Sequence, residues 1–168
     1  MYVKFETLPD HSRIWIYQAN RKLTAQEKQA AEAALQEFCE GWVAHQQPLK
    51  TSFSLEYDQF VILATDEDYH LPSGCSIDSS VRALKELGSR FGIDLFDRTK
   101  VAFLDKDAVV VYPLSHLKEL FESGKLAGGT ITFNNLVPSI GDLKSGWRMA
   151  AEKTWLAKYL PNSALVKN

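Results

Sequence analysis

The sequence predicts an α+β fold built on a ferredoxin-like core. Three observations predict it: a strand followed by a capped amphipathic helix, a hairpin of one alternating and one continuously apolar strand, and a second amphipathic helix leading into a further strand. Through residue 104 the order is β-α-β-β-α-β, the split βαβ arrangement of an antiparallel sheet with two crossover helices. Residues 105–168 then read as a strand-helix-strand extension packed on that core, so that 1–168 form one domain.

Each element has its own warrant. Arg13–Gln18 is rich in β-branched and aromatic residues and reads as the first strand. Thr24 and Glu27 stand at capping-box spacing before a helix over 25–44. That helix carries Ala31, Ala34, Leu35, Phe38, Cys39 and Trp42 on one stripe and Lys28, Glu32, Glu37 and Glu40 on the other face. Thr51–Tyr57 alternates, with Phe53, Leu55 and Tyr57 on one side, and Phe60–Ala64 is continuously apolar. The pair reads as a hairpin, its first strand half-exposed at an edge, with the strands at 13–18 and 60–64 central. A second helix over 76–91 has the stripe Ile77, Val81, Leu84, Leu87 and Phe91, and Gly92 is its stop. Strands follow at 101–104 and 108–112, a short helix at 115–122 and a strand at 130–133. Trp147, Trp155, Tyr159 and Leu160 make the C-terminal stretch too aromatic for a loose tail, so it is expected to pack.

Composition excludes several classes. The 168 residues are 45% apolar and 24% charged, near the globular average, with a formal net charge of −2. No global basic field draws nucleic acid or anionic lipid. Trp15 and Tyr17 offer stacking surfaces beside Arg13, Arg21 and Lys22, yet the aromatic-and-glycine pattern of RNA-recognition strands is missing, so nucleic acid is not an expected partner. The charge is segregated, −5 over residues 51–99 and +3 over 100–168. With the edge strand, that asymmetry makes a homodimer an option. Two cysteines are too few for a disulfide scaffold, no signal-peptide core opens the chain, and the longest apolar run is far shorter than the ~20 residues of a membrane helix. The expected setting is cytoplasmic, with no membrane span and no cofactor.

The most unusual stretch is Ser73–Ser80, at a helix start. Small residues there leave backbone N–H groups open to an anion, with Gly74, Cys75, Ser76 and Ser79 as the anion-binding candidates. A thiol at a helix N-terminus gains thiolate character, which makes Cys75 a candidate nucleophile with His70 as base and Asp78 nearby. The same residues also read as plain capping by Ser76 or Asp78, with Cys75 a small buried filler. The apolar strand at 60–64 runs into Asp66, Glu67 and Asp68, weak candidates for a metal; a solvated acidic loop is the competing reading. The four histidines match no zinc spacing. No G-x-x-x-x-G-K-[ST] accompanies the acidic strand end, so the β- and γ-phosphates of a nucleotide have no standard cradle.

Several segments carry a resemblance: Leu8–His11, Trp15–Lys22, Ser73–Val81, Asp94–Arg98 and Phe133–Val137. Together they resemble a family of short bacterial proteins carried under the label "ABC transporter ATPase". The resemblance implies nucleotide binding by label and transfers no catalytic residue; an L-S-G-G-Q signature is missing here. Residues 113–133 and Trp147 are similar to the helix, glycine stop, strand and tryptophan of GYF-like modules, some of which bind proline-rich peptides. No complete catalytic constellation is present, so the expected function is that of a binding or interaction module, taking a protein or a small anionic ligand. An enzyme using the Cys75 region is the alternative, and a nucleotide-dependent ATPase stands third.

Overall fold

In the computed structural model, which describes residues 1–161, helices and antiparallel sheets occur together, and the α+β class holds. The described residues form two compact units: Met1–Asp97 with Asn135–Ser145, and Arg98–Asn134 with 146–161. No helix among the described residues is long and apolar enough to cross a membrane.

The first unit contains β1 (Arg13–Gln18), α1 (Ala25–Gly41), the short hairpin β2 (Val43–Ala44) and β3 (Gln47–Pro48), β4 (Thr51–Glu56), β5 (Phe60–Thr65) and α2 (Gly74–Phe91). Its sheet has the order β1-β5-β4, antiparallel throughout, with Arg13 and Thr51 both opposite Thr65. All six residues of β5 are buried, which is why that run carries no alternation. Both helices cover one face of the sheet. Ala31, Leu35 and Cys39 of α1, Leu84 and Leu87 of α2, and Val61 and Leu63 of β5 share one core with Trp42.

Strand order corrects the ferredoxin-like expectation. The first, third and second strands do lie side by side, but β5 alone is central and β1 is an edge. The Ile14 N–H donates to the Pro138 carbonyl at 3.0 Å, the Ile140 N–H donates to the Ser12 carbonyl at 3.1 Å, and Arg13 bridges Ser139. The returning segment, with its helix Ile140–Gly146, therefore sits where a fourth strand would pair with β1. The strand expected at 101–104 forms instead in the second unit.

Local boundaries follow capping chemistry. Thr24 Oγ1 accepts from the Glu27 N–H at 3.1 Å, and a Glu27 carboxylate oxygen accepts from the Thr24 N–H at 2.9 Å, the reciprocal box the spacing predicts. Helix α1 ends at Gly41 rather than 44: Trp42 already takes extended backbone (φ −74°, ψ 120°), and His45 and Gln46, at positive φ (49° and 66°), then turn the chain tightly into β3. Helix α2 begins two residues before the expected position, with Ser73 as its cap, and Gly92 closes it at φ 64°.

The second unit contains β6 (Lys100–Asp105), β7 (Ala108–Pro113), α3 (Leu117–Glu122), β8 (Ile131–Phe133) and β9 (Arg148–Ala150), ordered β7-β6-β8-β9. Phe103, Leu117, Phe121, Leu126, Leu156 and Leu160 form its core. Trp147 lies 4.9 Å from Phe133 and Tyr159 stacks on Phe121, whereas Trp155 is 53% exposed.

Candidate functional site

Two places in the first unit gather the chemically capable side chains, and the backbone explains both. The first is a cleft of about 390 Å³ where the end of α1, the β2–β3 turn and the start of α2 meet. Phe38, Gly41, Trp42, Val43, His45, Ser73, Cys75, Ser76 and Ser79 line it. Its geometry is fixed from behind: Trp42, 2% exposed, donates its indole N–H to the Ser76 carbonyl at 2.8 Å.

The start of α2 is largely satisfied by its own hydroxyls. Ser73 Oγ accepts from the Ser76 N–H at 3.1 Å, and Ser76 Oγ accepts from the Ser73 N–H at 2.7 Å while donating to the Ser73 carbonyl. Ser79 Oγ donates to the Ser76 carbonyl at 2.7 Å. Of the four anion candidates, Ser76 is buried inside the capping box and Ser79 is committed to the helix backbone. The amides of Gly74 and Cys75 remain as the first-turn donors. The cap is Ser73, not Ser76 or Asp78.

Cys75 is an exposed free thiol, which corrects its reading as a buried filler. The buried cysteine is Cys39, whose thiol burial pushes up to about 12 and so removes from nucleophilic chemistry. Neither His70 nor Asp78 lines the cleft that holds Cys75. His70 is half-buried in the preceding loop, its Nε2 without a partner, and Asp78 is exposed. The imidazole that shares the cleft is His45. The sequence gives no sign of it, because a His-Gln pair is not the Asn-Gly or Asp-Gly that marks a tight hairpin.

The second place lies at the end of the sheet. Asp66, 5% exposed, follows the last residue of β5; its carboxylate accepts from Lys50 Nζ at 3.0 Å and from the Asp68 N–H at 3.1 Å. Asp68 meets His11 Nε2 at 2.6 Å. One ligand atom each from His11, Asp66 and Asp68 lies within 4.8 Å of the others. Glu67, named with Asp66 from the sequence, turns instead to Arg13 at 3.6 Å. His11 escaped the sequence reading because 55 residues separate it from Asp66, and only the β1–β5 register brings them together.

No protein-family model, curated protein or solved structure matches this chain.

Proposed function

We propose that this chain works by binding, and that the cleft at the start of α2 takes a small anionic ligand. One observation carries the reading: Cys75 in the first turn of α2 and His45 line one cleft together with the aromatic residues Phe38 and Trp42. Donors at a helix N-terminus favour negative charge, and an aromatic lining suits the apolar body of a ligand. Thermal unfolding of the full chain with inorganic phosphate, AMP, and ATP with Mg²⁺ tests this. The reading predicts that at least one raises Tm and that His45→Ala abolishes the rise; an unmoved Tm in every arm contradicts it. The ATP arm also tests the nucleotide binding implied by the family resemblance.

A second reading is favoured by the same cleft. Cys75 is exposed and shares its lining with His45, so a thiol nucleophile with a histidine partner replaces the His70 pairing drawn from the sequence. On this reading Cys75 alkylates faster than a free peptide cysteine at neutral pH, and His45→Ala removes the excess; a rate equal to the free peptide's rejects it.

The homodimer option has a candidate seam. The Thr51 N–H and carbonyl point away from β5, bonding Met1 and Val3 at 2.9 Å each, so Phe53 and Leu55 turn their backbone groups the same way along the outer edge of β4. Light scattering after size exclusion reads this directly, and a strict monomer at high concentration removes it.

A further inference from the structure

We propose that His11, Asp66 and Asp68 form a site for a divalent transition cation of the zinc class, independent of the cleft at α2. Three donors of the right kind stand together: the His11 imidazole nitrogen and two carboxylates, all within 4.8 Å. A mixed nitrogen and oxygen set suits zinc or its neighbours better than magnesium or calcium, which take oxygen alone. Three protein ligands leave a fourth, water-filled position, the pattern of an open rather than a structural zinc site.

The scaffold fixes one ligand and leaves two adjustable. Asp66 is buried and held by Lys50 and by the Asp68 amide. His11 and Asp68 are exposed, with side chains 59% and 75% accessible. Ligands around an ion at ~2.0–2.1 Å stand about 3.3 Å apart. The His11–Asp68 hydrogen bond of 2.6 Å therefore opens slightly and Asp66 approaches, a movement that two exposed side chains allow.

A separate observation points to the same end of the sheet. Ser12 and Ser52 are both 0% exposed, and their Oγ atoms have no hydrogen-bond partner. Ser52 is opposite Ala64, and Ile14 is opposite Ala64 from the other side. By the two-residue alternation of strands, Ser12 and Asp66 stand one step further along on that same face. Buried hydroxyls without partners are rare, and Ser12 directly follows His11 where β1 begins beside the end of β5.

Charge is compatible with a cation. Lys50 offsets one carboxylate at 3.0 Å, and Arg13 faces Glu67 at 3.6 Å. With His11 neutral, the cluster of Asp66, Asp68 and Lys50 retains one net negative charge. Lys50 is the group that opposes the ion, so affinity rests on Asp68 and His11 completing the set.

Zinc alone, titrated calorimetrically into the full chain, tests the site. The proposal predicts one zinc per chain and at least a tenfold weaker association in both His11→Ala and Asp68→Asn, two surface changes that leave the core untouched. His45, His70, His116 and Cys75 offer zinc other seats, which the variants distinguish. Absence of zinc binding overturns the proposal, and so does binding of equal strength in wild type and both variants.

Discussion

Trp42 donates its indole N–H to the Ser76 carbonyl oxygen at 2.8 Å, a buried bond tying the residue after α1 to the first turn of α2. Because Ser76 also closes the cap of α2, this contact sets the distance between the two helix ends that frame the cleft. Trp42→Phe keeps an aromatic ring but removes this donor, while the Ser79 hydroxyl still serves the Ser76 carbonyl. The expected loss is about 0.5–1.5 kcal/mol, with further loss from the smaller ring, read as a lower urea midpoint.

The capping box of α1 makes stability depend on acidity. The Arg21 guanidinium at 2.9 Å, together with the Thr24 backbone N–H, holds the Glu27 carboxyl at about 2 against an ordinary 4.5. A folded pKa below the unfolded one gives stability that is present above about 4.5 and lost as pH falls through about 2. Wild type is therefore more stable than Glu27→Gln at neutral pH. The gap closes across that window, as read from urea midpoints at a series of pH values.

The two thiols differ in reach. Cys75 is exposed, while Cys39 is fully buried with its thiol pushed up to about 12. Ellman's reagent titrates one thiol in the native chain and two in denaturant, and Cys75→Ser leaves none accessible in the native state.

Gly88 is required by close approach. A Cβ there would stand 2.5 Å from the Ile93 carbonyl oxygen, which is backbone and cannot swing away. Gly88→Ala displaces the end of α2 and costs about 1–3 kcal/mol despite the better helix propensity of alanine, measured by chemical denaturation.

Local patterns were legible in the sequence where a single period or spacing decided them. The Thr24–Glu27 box and the unbroken run of β5 each form as their residues dictate, whereas of the α2 stripe only Leu84 and Leu87 are buried, Ser76 and Ser80 being buried where Ile77 and Val81 are half-buried. Long-range choices were not legible. Nothing in the strand near residue 101 says that it joins β7 and β8 rather than β1, since apolar residues such as Ala102 and Phe103 mark a strand for burial without naming its neighbour. The site residues divide the same way. Ser73, Cys75, Ser76 and Ser79 are visible as a small-residue helix start, but His45 reaches the cleft through a left-handed turn at a His-Gln pair that carries no Asn-Gly or Asp-Gly signature. His11 joins Asp66 and Asp68 only through pairing across the sheet.

The central claim, that the cleft at the start of α2 holds an anionic ligand, is tested most directly by Cys75 itself. Iodoacetamide modification of Cys75 is followed by mass spectrometry with and without the phosphate compound that raises Tm. Binding in the cleft predicts that the ligand slows alkylation several-fold, with His45→Ala restoring the unprotected rate. An alkylation rate unchanged by every phosphate compound contradicts the claim.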